Sequence, residues 1–196
     1  MDEERMELQV IVASTREGRQ GPAVGAWFER LARAHGGFDV RVVDLAEVDL
    51  PMFDEPGHPR FGKYEREHTR EWSRTVDAAD AFVVVTPEYD HVPPASLLNA
   101  LQYLVREWAY KPVGFVSYGG VSAGTRGVQV TKQAALALRM VPVPEAVAVP
   151  FFAQHLDQET GIFDPGEVQE RAGIAMLDEL LKLAGALRPL REGQPA

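Results

Sequence analysis

Ala81-Phe82-Val83-Val84-Val85-Thr86-Pro87-Glu88-Tyr89-Asp90-His91-Val92-Pro93-Pro94 is the stretch whose reading decides the fold. Five successive apolar residues, three of them valine, read as a strand covered on both faces, as in parallel sheets. The strand runs into a proline-rich aromatic loop, and a helical pattern starts at Ala95. In open α/β sheets ligands bind beyond the carboxyl ends of the strands, so Pro87 to Pro94 reads as a ligand loop.

Upstream, Met6–Ala13 reads as a first strand, and the polar loop Ser14–Gly21 follows it. Pro22 stands where a first helical residue is favoured, and Ala23, Trp27, Leu31 and Ala34 recur at helical spacing as far as His35. Gly36-Gly37 stops that helix, and Phe38–Val43 is a second strand ending at Asp44-Leu45. Leu50–Phe61 carries three prolines and reads as a loop, and Tyr64–Ala79 as a charge-rich helix anchored by Trp72 and Val76. Downstream the pattern predicts a helix over Ala95–Trp108, a strand over Pro112–Ser117 and a helix over Ala123–Arg139. A short strand over Glu145–Val149 and a helix over Asp164–Leu187, capped by Asp164, complete it, with a loose tail beyond Arg188. Strands alternating with helices imply an α/β fold with right-handed parallel crossovers and helices on both faces. Five strands favour a flavodoxin-like three-layer sandwich with a parallel sheet in the order 2-1-3-4-5. The 196 residues fit one domain, 1–196, with an ordered core over about 6–187.

A net charge of −9 argues against a nucleic-acid partner, because phosphate backbones are met by clusters of Lys and Arg. The chain has no cysteine, which excludes disulfides, thiolate metal sites and cysteine nucleophiles. No apolar run approaches membrane-spanning length and no segment has the order of a signal peptide, so the expected location is cytoplasmic, without membrane insertion. The five histidines are scattered, with none at metal-ligand spacing. Arg66, Glu67, Arg70, Glu71 and Arg74 alternate in charge and read as a solvated helix face.

The first loop, Ser14-Thr15-Arg16-Glu17-Gly18-Arg19-Gln20-Gly21-Pro22, joins hydroxyls, two arginines and free N–H groups at a helix start. That combination suits a phosphate, and it equally suits a solvated strand–helix turn. It is neither a Walker A loop nor a G-x-G-x-x-G fingerprint. In the second loop the prolines stiffen the backbone, whose polar groups can meet the edge of a planar heterocycle beside Tyr89. Glu88, Asp90 and His91 read as rim residues ahead of an acid–base set, and no nucleophile with an adjacent base is evident. The third loop, Ser117-Tyr118-Gly119-Gly120-Val121-Ser122-Ala123-Gly124, allows close backbone approach or a plain turn. Asp44 reads as structural, and Trp108 and Tyr110 as core or subunit contacts.

Together, Ala13-Ser14-Thr15-Arg16, Pro87-Glu88-Tyr89-Asp90, Pro93-Pro94-Ala95-Ser96-Leu97-Leu98-Asn99-Ala100-Leu101 and Gly119-Gly120 resemble the NADPH-dependent FMN reductase family. The resemblance runs from about Leu8 to Val149. It implies that Ser14, Arg16, Gln20, Gly21 and Ala23 hold the FMN phosphate. It implies too that Pro87, Glu88, Tyr89 and Asp90 line the isoalloxazine and ribityl side, and Ser117, Tyr118, Gly119 and Gly120 the other flank. The activity implied is transfer of hydride from NADPH or NADH through bound FMN to a small-molecule acceptor, such as a quinone, azo compound, metal ion or flavin. It also implies a homodimer or homotetramer, with Trp108 and the residues after Asn99 as candidate contacts. No side chain is assigned as catalytic, because the cofactor carries the chemistry. Asp90 stands for the family's Asn, His91 and Val92 for smaller or hydroxylated residues, Pro94-Ala95 for Pro-Gly and Leu98 for Lys. A flavodoxin-like electron carrier and a flavin-free binding module are the rival readings.

Overall fold

Alternation along each strand sends side chains into two opposed cores, and that division positions everything else. The computed structural model describes residues 5–193. Its strands are β1 (Glu7–Val12), β2 (Asp39–Asp44), β3 (Ala81–Pro87), β4 (Pro112–Tyr118) and β5 (Val141–Val149). Its helices are α1 (Gly21–His35), α2 (Leu45–Val48), α3 (Glu67–Ala78), α4 (Ala95–Gln102), α5 (Thr125–Ala137) and α6 (Glu167–Glu192). All strand pairs are parallel, in the order β2-β1-β3-β4-β5, which is the expected flavodoxin-like arrangement. Leu8, Val10, Val83, Val85 and Val116 pack against Phe28 of α1 and Met176, Leu177 and Leu180 of α6. On the opposite face Ile11, Phe82, Val84 and Phe115 meet Trp72 of α3, Leu97 and Leu101 of α4, and Val128 of α5.

Several boundaries differ from those expected, each for a local reason. β5 starts at Val141 in spite of Pro142 and Pro144, because it is an edge strand, where a missing N–H is tolerated. The helix expected from Tyr64 starts at Glu67, because the Glu55 carboxylate takes the N–H groups of Glu65 and Arg66 at 2.9 Å each. The helix expected to reach Trp108 ends at Gln102, and Arg106–Trp108 forms a separate 3₁₀ turn. That turn drives Trp108 between Trp72 and Phe82, with ring centroids 5.9 and 4.9 Å away. Trp108 is 1% exposed, so it is a core residue and not the subunit contact proposed for it.

α5 starts at Thr125 instead of Ala123, because Ala123 and Gly124 take positive φ (53° and 76°). Asp164 does not cap α6; its carboxylate accepts the Gly166 N–H (3.0 Å) and the helix begins at Glu167. The tail expected to be loose beyond Arg188 is helical through Pro189 to Glu192, and Arg191 donates to Asp80 at 2.6 Å. Residues 194–196 of that tail lie outside the described residues.

Lys111, just ahead of β4, is 4% exposed, and its Nζ donates to the carbonyls of Val76 (2.8 Å) and Asp77 (2.9 Å) at the end of α3. Burial pushes its ammonium down to about 8, against the pull of Asp77. Above that pH the unfolded chain holds a proton that the folded chain has released, so stability rises with pH. The melting temperature is therefore expected to climb between about pH 8 and 9.5 in the wild type but not in Lys111→Met. Calorimetry on both proteins checks this, and parallel curves across the window overturn it. The window closes there because unfolded tyrosine ionises near pH ~10, while burial holds Tyr103 and Tyr118 up at about 12.

Candidate functional site

The connections after β1, β3 and β4 meet where the chain order reverses in the sheet, the place where ligands settle in this architecture. The first begins as β1 emerges between β2 and β3. Ser14 is 1% exposed, and its Oγ lies 3.4 Å from the Tyr118 hydroxyl beneath the loop. Arg16 to Arg19 form a turn closed by the Arg19 N–H on the Arg16 carbonyl (3.3 Å). Gly18 takes the third position with φ +68°, as a type II turn requires. α1 then starts at Gly21, with Gln20 as an N-cap whose side chain makes no capping bond.

The N–H groups of Thr15, Arg16, Glu17 and Gly18 meet no acceptor among the described residues. Unspent donors at an uncapped helix start are the chemistry that holds a phosphate ester. At Gly21 an added Cβ would collide with Ser14 Oγ and stand 2.9 Å from Val12 Cγ1 and 3.1 Å from the Tyr118 hydroxyl. The loop thus sits as low over the sheet as its backbone allows. Ala23 is half-buried in the first turn of α1.

The two arginines divide. Arg19 is committed to Asp44 by a bidentate pair (2.7 and 2.8 Å) and also donates to the Ser14 carbonyl (2.9 Å). Asp44 in turn accepts the Ala46 N–H (3.0 Å) and caps α2, which bears out its structural reading. Arg19 is therefore a brace for the loop. Arg16 is exposed and reaches across the site, its Nε donating to the Tyr89 hydroxyl (3.2 Å) with the guanidinium 5.9 Å from the ring centre. Of the two, only Arg16 has no carboxylate partner among the described residues.

In the second loop, Pro87 is the last residue of β3 and pairs with Tyr118. Tyr89 and Val92 exchange two backbone hydrogen bonds (2.9 and 3.0 Å) around Asp90 and His91, whose φ values are 50° and 70°. Two positive φ values in a two-residue hairpin make a type I′ turn, and Asp and His tolerate the left-handed region better than most side chains. Both are exposed at its tip, as rim residues.

Glu88 faces away from the tip. Its carboxylate accepts from Ser122 Oγ (2.6 Å), the N–H groups of Arg126 (3.0 Å) and Gly127 (3.3 Å), and Arg126 Nη1 (3.3 Å). Burial pushes its pKa up, but Ser122, Gly127 and Arg126 outweigh it and hold the carboxyl below its ordinary value. Glu88 is thereby the cap of α5, and what its segment offers a ligand is backbone.

Strand alternation splits the third loop's residues. β4 extends to Tyr118, which points under α1, is 3% exposed and packs edge-on against Phe152 (5.3 Å). Burial pushes its hydroxyl up to about 12. Ser117 is buried, Gly119 is half-buried and Gly120 is exposed at the rim. The site thus brings together Ser14, Arg16, Gln20, Gly21, Tyr89, Gly119 and Gly120, while Glu88 and Tyr118 support it from behind.

Two features were not read from the sequence. Ser96 Oγ donates to the Ala13 carbonyl (2.6 Å) and ties the start of α4 to the first loop. Asn99 holds the Pro51–Phe53 segment by two bonds (2.7 and 2.9 Å), and a cleft of about 400 Å³ lies between that segment, Thr15 and Ser96. A hydroxyl in the first turn of a helix was the only local signal for Ser96.

Comparison with known proteins agrees with this geometry. An NAD(P)H-dependent FMN reductase of Schizosaccharomyces pombe is 36% identical over 192 residues, covering 96% of this chain and 92% of the relative. A 2-hydroxy-1,4-benzoquinone reductase of a Burkholderia species is 28% identical over 125 residues, 64% of this chain and 61% of its own length. Among solved structures, FerB, a flavoenzyme NAD(P)H:(acceptor) oxidoreductase from Paracoccus denitrificans, superposes with a TM-score of 0.73 at 19% identity. The match covers 92% of this chain and 98% of that one, and it shows the shared fold. The family model for NADPH-dependent FMN reductase matches residues 6–154, which span the first two loops, the third and the strand behind them. By that match and the fungal relative alike, the chain belongs to the NADPH-dependent FMN reductase family.

Proposed function

We propose that this chain binds FMN non-covalently at the three loops and uses NADPH or NADH to reduce a small-molecule acceptor. The observation that carries the reading is the row of unspent N–H groups from Thr15 to Gly18 in the loop that leads into the uncapped start of α1. Buried Ser14 precedes that row, and the exposed Arg16 side chain, with no carboxylate partner among the described residues, extends from it. A phosphate monoester can take the four backbone N–H groups without displacing any bond they make among the described residues. Arg16 and Gln20 would hold the phosphate, Gly21 and Ala23 would let the helix start approach it, and the backbone of Pro87–Asp90 and Gly119-Gly120 would meet the ring. When bound, FMN supplies a two-electron carrier between nicotinamide and acceptor. For a quinone the balance is NAD(P)H plus H⁺ plus quinone giving NAD(P)⁺ plus hydroquinone. The reading assigns no side chain as acid or base. A homodimer or homotetramer and a cytoplasmic location belong to the same reading. Among the described residues, no helix is long and apolar enough to cross a membrane.

The test is a titration of the purified protein with FMN and with riboflavin, then anaerobic addition of NADPH and of NADH. FMN is expected to bind at least about tenfold more tightly than riboflavin, since charge-assisted bonds to the phosphate contribute about 1.5–3 kcal/mol each. The bound flavin is expected to bleach within seconds. Flavin that neither nucleotide reduces would make the chain an electron carrier, and equal affinity for both flavins would remove the phosphate assignment.

A further inference from the structure

The chain leaves β5 at Val149 and is stitched to the third loop by three backbone hydrogen bonds. Gly119 N–H donates to Val149 O (3.2 Å), Phe151 N–H to Gly120 O and Phe152 N–H to Gly119 O (3.1 Å each). The two phenylalanines then diverge. Phe152 turns inward against Tyr118. Phe151 adopts φ 47° and ψ 41°, in the left-handed region that a bulky side chain rarely occupies. Its strain gains little burial, for the side chain is 51% exposed. Val121, which follows Gly120, is 76% exposed, and Val92 on the second loop is 43% exposed. A strained aromatic held open beside a ligand loop is a feature that packing does not account for.

We propose that Phe151 is a specificity-determining residue that forms, with Val121, an apolar platform at the rim of the site on which a planar aromatic electron acceptor lies. This rests on the flavoenzyme reading, because the platform has a purpose only if a ring is reduced beside it. The location is fixed by the three hydrogen bonds, which make Phe151 a direct continuation of the Gly119-Gly120 rim. An offset or edge contact between Phe151 and the acceptor supplies attraction that a ringless acceptor cannot use.

The experiment compares full-length wild type, Phe151→Ala and Phe151→Tyr, each loaded with FMN. One readout is the dissociation constant of naphthoate, a planar aromatic that undergoes no reduction, from its perturbation of the visible flavin spectrum. The other is KM for naphthoquinone against KM for ferricyanide. Phe151→Ala is expected to weaken naphthoate and raise the naphthoquinone KM by about five- to tenfold, the scale of one aromatic contact. FMN affinity, the ferricyanide KM and the melting temperature are expected to stay put, and Phe151→Tyr to behave as wild type. Equal naphthoate affinity in wild type and Phe151→Ala overturns the platform, and so does a parallel rise in both KM values. A change in oligomeric state on substitution also overturns it, by placing Phe151 against a second copy of the chain. Wild type that takes up no FMN removes the flavoenzyme reading and the platform together, whereas FMN uptake with unchanged naphthoate binding removes the platform alone.

Discussion

Gly21→Val is expected to lower folding stability by about 3 kcal/mol and to weaken FMN binding by at least about tenfold. The first residue of α1 rests on Ser14, Val12 and Tyr118, and even a single Cβ there meets Val12 Cγ1 at 2.9 Å and the Tyr118 hydroxyl at 3.1 Å. Val12 and Tyr118 are 1% and 3% exposed, so their side chains have little room to turn away. The remaining way out is to lift the start of α1, and lifting it moves the N–H groups that the proposed phosphate needs. Stability and flavin affinity should therefore fall together. Gly185→Ala is the control, since that glycine lies in α6 with nothing within 4 Å of the added Cβ. It is expected to raise stability by about 0.5–1 kcal/mol through helix propensity and to leave FMN binding alone. Urea unfolding and FMN titration of both variants decide the matter. A Gly21→Val protein as stable as wild type would show that the close seating of the loop is not what shapes the site.

How far the sequence could be read depended on whether the deciding contact was local. β1, β3 and the strand order were legible because a strand buried on both faces leaves an uninterrupted apolar run, as in Ala81–Val85. The loops were legible because they follow those runs directly. What was not legible was the direction each loop side chain takes. Tyr118 was read as a loop residue, but it pairs with Pro87 as the last residue of β4, and the alternation of the strand turns it under α1. Arg16 and Arg19 are equivalent in local pattern; only Asp44, brought alongside by β2, claims one and leaves the other. Glu88 read as a rim residue, and not as a cap, because the start of α5 lies far along the chain. Phe151 had no local signal at all, since its exposure and strain follow from bonds to Gly119 and Gly120.

Glu88 gives the second large effect, and its pH dependence separates a cap from a site acid. In Glu88→Ala the Ser122 hydroxyl and the N–H groups of Arg126 and Gly127 lose their acceptor together, and the start of α5 loses a favourable negative charge. The expected cost is about 2–4 kcal/mol, combining a lost cap with unsatisfied, partly buried donors. Glu88→Gln keeps one acceptor oxygen without the charge and is expected to cost about 1–2 kcal/mol. The folded carboxyl lies below its ordinary value: burial alone would raise it, and the bonds from Ser122, Gly127 and Arg126 more than reverse that. Its contribution is accordingly complete above the unfolded value of 4.5 and is lost as pH falls through the lower folded value. The stability gap between wild type and Glu88→Gln should be constant from about pH 7 to 5 and narrow below about pH 4. Urea unfolding at those pH values measures it. A gap that closes near neutrality would instead mean a carboxyl whose pKa is raised, the mark of an acid poised for proton transfer. The arrangement at α5 predicts the opposite, because every bond that reaches this carboxylate favours its charged form.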